Sequence, residues 1–185
     1  ALLESAPDDL KLLRALNFAA NAAPEKRRQA ERDIAELNER TGGLARARSW
    51  GLLESNGSYP VHLTPLGKQI CDGVKQYVNW LDHPMDLPRG VAREMVAGNR
   101  ILDVGCGVGC ALLTFARHGA ASITGADLMP SFLALSRVFA QREGIAAPRL
   151  ACSTGASLPF ADASFDFVFS RMALNYMPAN AAVAE

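Results

Sequence analysis

The 185 residues are 49% apolar, enough for one large or two small domains with their own cores. Nineteen Lys/Arg balance nineteen Asp/Glu, so no net field draws the chain to nucleic acid or to an acidic lipid surface. No apolar run approaches the roughly eighteen residues of a membrane span, and residues 1–9 lack the basic-then-apolar order of a signal peptide.

Leu10, Leu12, Leu13, Leu16 and Phe18 predict an amphipathic first helix. Pro24-Glu25 opens a second, highly charged helix that runs through Ile34 and Leu37 to Thr41-Gly42-Gly43. A short third helix is expected over Leu44–Trp50. Gly51–Ser55 and Ser58–Leu63, joined by Asn56-Gly57, read as a hairpin, because Asn-Gly suits the two positive-φ positions of a type I′ turn. Thr64-Pro65 then starts a helix with Thr as N-cap, carrying Leu66, Ile70, Val74, Tyr77, Val78 and Leu81 at helical spacing. Pro84 and Pro88 mark a connector, which divides the chain into domains at residues 1–82 and 83–185. A helix is expected over Val91–Val96, closed by Gly98-Asn99.

The most informative stretch follows. Ile101–Val104 is a strand ending near an acid, Asp103. Gly105, Gly107 and Gly109 then alternate with Cys106 and Val108, before the apolar start of a helix at Ala111–Ala116. Strand, tight turn and helix N-terminus together bring main chain and partial positive charge up to a polar ligand. A dinucleotide fingerprint would place its third glycine at position 110, where Cys110 stands, and no phosphate-loop Gly-Lys-Ser/Thr is present. A second strand, Ser122–Asp127, ends in an acid about twenty residues after the turn, where a ribose-binding carboxylate belongs. The alternative role for Asp127 is to cap the helix that opens at Pro130 and ends near Gly144. Arg149–Cys152 reads as a third strand. Leu158-Pro159-Phe160 leads to a fourth that ends at Ser170, with Asp166 as a strand-entry acid.

These segments, in this order over residues 88–185, resemble class I S-adenosylmethionine-dependent methyltransferases. The resemblance implies an α/β fold, a Rossmann-like parallel sheet. It also implies a cofactor, S-adenosylmethionine, and no metal. Gly105, Cys106, Gly107 and Gly109 would approach the methionyl end of the cofactor, with Asp103 supporting that end. Asp127 would accept from both ribose hydroxyls, and Leu128 and Met129 would flank the adenine. Ser170 would offer its carbonyl to the cofactor's ammonium. Relatives carry an acid that bonds the adenine amino group; here that position holds Thr154, an uncharged hydroxyl, with Gly155 and Ala156 beside it to supply backbone groups. The family's fifth strand and the antiparallel pair after it are missing from the sequence. The expectation is therefore that the polypeptide continues, or that another chain covers the open edge.

Residues 1–82 resemble a winged helix-turn-helix. Arg46 and Arg48 could meet DNA phosphates, with Arg27 and Arg28 upstream, which makes a ligand-sensing transcriptional regulator the competing function. Yet the segment holds as many acids as bases, a poor DNA footprint. The favoured reading is an enzyme with a small-molecule methyl acceptor, whose first domain dimerises and acts as a lid; an inactive scaffold is the third possibility. Asn175 and Tyr176 lie where acceptors sit in similar enzymes, though a packing role fits them equally, and no catalytic residue is named. Cys71, Cys106, Cys110 and Cys152 lack paired metal spacing and read as reduced apolar residues of a cytoplasmic protein, with a redox role for Cys106 at the helix start as the alternative.

Overall fold

The structure, a computed structural model, describes residues 7–54, 62–84 and 86–176. It divides into two compact units, residues 1–76 and 77–185. The division falls inside the fourth helix, six residues before the expected boundary, because Tyr77 and Trp80 pack with the sheet-bearing unit.

The first unit holds α1 (Pro7–Asn21), α2 (Pro24–Thr41), α3 (Gly43–Ser49) and most of α4 (Pro65–Asp82). From α1 come Leu10, Leu12, Leu13 and Leu16, all buried, whereas Phe18 is 52% exposed. The stripe passes instead through Asn17, which donates from its amide to Asp72 at 3.3 Å. Phe18, one residue on, is turned about 100° away from that stripe. In α2 Ala30 and Ile34 are buried. Gly42, at φ 63°, ends α2 with its N–H on the Asn38 carbonyl at 2.8 Å. Arg46 does not present a free cation: it pairs with buried Asp9 at 2.5 Å and donates to the Thr41 carbonyl. Burying Asp9 demands a partner, so Arg46 is spent on internal packing.

Leu53 and Leu63 form an antiparallel bridge, flanked by bonds from Glu54 N to His62 O and from Thr64 N to Leu52 O. The expected turn at Asn56-Gly57 lies outside the described residues. Thr64 caps α4 through its Oγ1, which accepts from Gly67 N at 3.0 Å. Ile70, Cys71, Val74, Tyr77 and Trp80 are buried along α4, while Leu66 and Leu81 are exposed. The buried stripe thus runs one step to the side of the expected one.

In the second unit β1 (Arg100–Val104), β2 (Ser122–Asp127), β3 (Arg149–Cys152) and β4 (Phe167–Phe169) form a parallel sheet in the order β3-β2-β1-β4. α5 (Cys110–Arg117) and α6 (Pro130–Arg142) cross between the first three strands. Side chains alternate along each strand. Ile101 and Ile123 join Leu112, Phe115, Leu133 and Val96 in one core layer. Leu102, Val104 and Ala126 meet Leu158, Phe160 and Phe165, from the link into β4, on the other face. The Arg100 guanidinium fastens that link with two bonds to Asp166, at 2.8 and 2.9 Å, and one to the Ala163 carbonyl, and the Arg100 backbone N–H adds a third to Asp166 at 2.8 Å. Asp166 is therefore the strand-entry acid expected, and the guanidinium holds its carboxyl down at about 2. The helix expected over Val91–Val96 is a single 3-10 turn, Arg93–Met95. Gly90 and Gly98, both at positive φ, bound this segment on either side.

The end of α4 is held by polar and aromatic contacts within this unit. The Tyr77 ring stacks on Phe139 with centroids 3.9 Å apart, and its hydroxyl donates to Glu143. Trp80 Nε1 donates to Thr114 Oγ1 at 2.8 Å, and Arg117 lies over the indole while pairing with Glu143.

Candidate functional site

The four strand ends converge on the glycine turn between β1 and α5. Gly105 and Cys106 donate their amides to the Ala126 carbonyl at 2.7 and 3.1 Å, and Gly109 donates to Cys106 O. Gly107 donates to Asp127 Oδ2 at 2.8 Å, and Met129 donates to Asp127 Oδ1 at 2.8 Å. These four turn amides are thus engaged within the protein. The alternate glycines shape the turn and let neighbours close on it. A Cβ on Gly105 would collide with Ala173, and one on Gly109 with Ser136 Oγ.

Asp127 ties two segments of the chain together. One oxygen fixes the entry to α6 and the other fixes the glycine turn. A carboxylate has about four acceptor sites, so capacity remains for a diol. Next to it Leu128 is 63% exposed, an apolar surface at the rim. Met129, half-buried, is the N-cap residue of α6. Ser153 N donates to the Asp127 carbonyl at 3.1 Å, which joins the end of β3 to the end of β2. Thr154 is exposed, Gly155 buried and Ala156 half-buried. Sequence reasoning passed over Ser153, whose hydroxyl is buried and has no partner among the described residues. Ser170 Oγ donates to the Val104 carbonyl at 2.9 Å, tying the end of β4 to the end of β1.

Asp103 is 3% exposed. Burial pushes its carboxyl from 3.8 up to about 7; the Arg171 charge works against that rise and Asp127 adds to it. Between those pH values the folded chain holds a proton that the unfolded chain has lost. The Asp103 contribution to stability is therefore present below pH 3.8 and disappears as pH climbs through about 7. The melting temperature of the wild type is expected to fall more steeply from pH 5 to pH 8 than that of Asp103→Asn. Parallel curves for the two proteins would show that Asp103 does not titrate in this window.

All four cysteines are free. Burial pushes the Cys106 thiol well above its ordinary range and Cys110 up to about 12, and the nearby acids add to both. Desolvation outweighs the helix N-terminus, which argues against the thiolate that a redox role would need. Among the described residues no group of three or more His, Cys, Asp or Glu is placed to hold a metal ion.

A sulfonium nucleoside has three parts to accommodate: a ribose diol, a purine and an α-amino acid. The spare acceptor sites of Asp127, the exposed Leu128 with the unpartnered Ser153 hydroxyl, and the carboxyl of Asp103 are of the chemistry those parts call for in turn.

Residues 102–185 match the methyltransferase domain family. Demethylmenaquinone methyltransferase of Tropheryma whipplei (strain Twist) is 42% identical over 74 residues, 40% of this chain and 29% of that one. Malonyl-[acyl-carrier protein] O-methyltransferase of Laribacter hongkongensis is 32% identical over 119 residues, 60% of this chain and 36% of that one. Among solved structures, the YcgJ protein of Bacillus subtilis is 30% identical, covering 49% of this chain and 40% of that one, with a TM-score of 0.46. The chain spans between 23% and 36% of the length of the curated relatives it matches.

Proposed function

We propose that the protein transfers a methyl group from S-adenosylmethionine to a small-molecule acceptor. The observation that carries this is the Asp127 carboxylate at the end of β2, bonded to Gly107 and so fixed beside the glycine turn. Relatives named for demethylmenaquinone and 24-methylenesterol support a small-molecule acceptor, and the one named for malonyl-[acyl-carrier protein] supports a small acyl group carried on a protein.

The bound cofactor supplies a sulfonium methyl group with a built-in leaving group. The protein's task is then alignment and exclusion of water. Asp127 holds the ribose, Leu128 and Met129 flank the purine, and Ser153 and Thr154 offer hydroxyls to the edge of the base. Asp103 and the Ser170 carbonyl face the ammonium. Gly105, Cys106, Gly107 and Gly109 keep the main chain close to the amino-acid end, and Gly155 and Ala156 supply backbone at the purine edge. No residue is assigned as a general base, since the need for one depends on the acidity of the acceptor. Asn175 and Tyr176, both exposed just past β4, would face the acceptor in this reading.

Residues 1–82 serve in this proposal as a winged-helix-like domain that dimerises two copies and covers the acceptor, with residues 83–185 binding the cofactor in a cytoplasmic protein. The order of three helices, a paired segment and a fourth helix supports that reading. The ion pair of Arg46 with Asp9 weighs against a DNA-binding role. No described helix is long and apolar enough to cross a membrane.

Calorimetric titration of the wild type with S-adenosylhomocysteine and S-adenosylmethionine is the test. Saturable one-to-one binding of both, with no uptake of NAD, is the expected outcome. Failure to bind either compound would overturn the proposal.

A further inference from the structure

Arg171 stands immediately after the β4 serine and belongs to no motif in the sequence. Its position follows from two contacts on either side of it. Ser170 Oγ is bonded to the Val104 carbonyl at the end of β1, and Ala173 packs against Gly105 so closely that no Cβ could replace the glycine hydrogen. Arg171 is therefore held at the mouth of the glycine turn. Its side chain is exposed and makes no hydrogen bond or ion pair among the described residues. Its charge acts on both Asp103 and Cys110, the last acid of β1 and the first residue of α5, which agrees with that placement.

The turn thus carries a carboxyl at Asp103 and an uncommitted guanidinium at Arg171. An α-amino acid zwitterion, with its ammonium and carboxylate on one carbon, is the complement of such a pair. A guanidinium presents a planar fork of donors that matches a carboxylate in two parallel bonds, which a lysine cannot reproduce. The first turn of α5 adds partial positive charge on the same side.

We propose that Arg171 is a cofactor-positioning residue that binds the carboxylate of the methionyl group, opposite Asp103 at its ammonium. This rests on the proposal that the site holds S-adenosylmethionine. It adds a residue from outside the glycine turn and makes the amino-acid end of the ligand, rather than the nucleoside, the part that Arg171 recognises.

The test compares two probes by calorimetry: S-adenosylhomocysteine, which has the amino-acid group, and 5′-methylthioadenosine, which has the same nucleoside without it. Arg171→Ala is expected to weaken S-adenosylhomocysteine about 10- to 100-fold, the range for loss of a charge-assisted bidentate contact. It should leave 5′-methylthioadenosine within about twofold. Arg171→Lys should restore part of the loss, and Arg149→Ala, which removes a guanidinium from the opposite end of the sheet, should change neither. Melting curves of the variants matching the wild type would show that the fold is intact. Unchanged S-adenosylhomocysteine affinity in Arg171→Ala, or equal weakening of both probes, overturns the role of Arg171 alone. A wild type that binds neither probe overturns the proposed function and this inference with it.

Discussion

Asp127→Ala is expected to weaken S-adenosylhomocysteine binding by about 100- to 10,000-fold. Hydrogen bonds to a charged group are worth about 1.5–3 kcal/mol each. Two ribose hydroxyls on one carboxylate therefore account for about 3–6 kcal/mol, and each 1.4 kcal/mol is about tenfold in affinity. The substitution also releases Gly107 N and Met129 N, so the glycine turn and the start of α6 lose a common acceptor. Asp127→Asn keeps the size of the side chain and one acceptor oxygen, while its NH2 group cannot accept from an amide. It should fall between wild type and Asp127→Ala, at about tenfold or more. Calorimetry at fixed salt measures both. A variant that melts lower yet binds the nucleoside as the wild type does would leave Asp127 with its helix-entry role alone and remove it from the ribose.

Gly109→Ala is expected to destabilise the second unit by about 2–5 kcal/mol. Gly109 sits at φ 80°, and a Cβ there would strike Ser136 Oγ and come within 3.1 Å of Ser136 Cβ. Holding alanine in the left-handed region costs about 1–2 kcal/mol. Overpacking a buried position adds about 1–3 kcal/mol, and Ser136 is only 1% exposed. For a chain of this size the melting temperature should drop by about 4–20 °C. Ser136→Ala in the same chain removes the Oγ, which also lacks a hydrogen-bond partner among the described residues. The double variant should recover the steric share and keep the backbone share. A double variant no more stable than Gly109→Ala would mean that α6 does not press on the turn in this way.

Much of the second unit could be read from local pattern. Asp103 and Asp127 each stand at or near the end of an apolar strand, alternating glycines follow the first, and Pro130 opens the helix after the second. These signals lie within a few residues of the elements they specify. The parts that escaped depend on pairings distant in sequence. Ser170 meets Val104 across 66 residues, and the β1–β4 register places Arg171 at the turn; no neighbour of Arg171 in the sequence says so. Ser153 and Thr154 are adjacent hydroxyls, and only the bond from Ser153 N to the Asp127 carbonyl marks Ser153 as the one drawn against the sheet edge. In the first unit Arg46 looked available because its partner, Asp9, is 37 residues away. Phe18 looked buried because a helical stripe admits either of two adjacent positions, and Asn17 took the inner one through Asp72.

Arg100 gives the second unit an uneven resilience. One guanidinium secures both Asp166 and the Ala163 carbonyl, and Ala163 itself sits at φ 55°, a conformation disfavoured without such restraint. The flap carrying Phe160 and Phe165 thus hangs from a latch at the domain's margin, where dissolved ions compete for each charge. Concentrated salt or acid near pH 2 would loosen this flap well before the strands themselves part, baring an oily underside while the glycine-turn end of the sheet stays assembled.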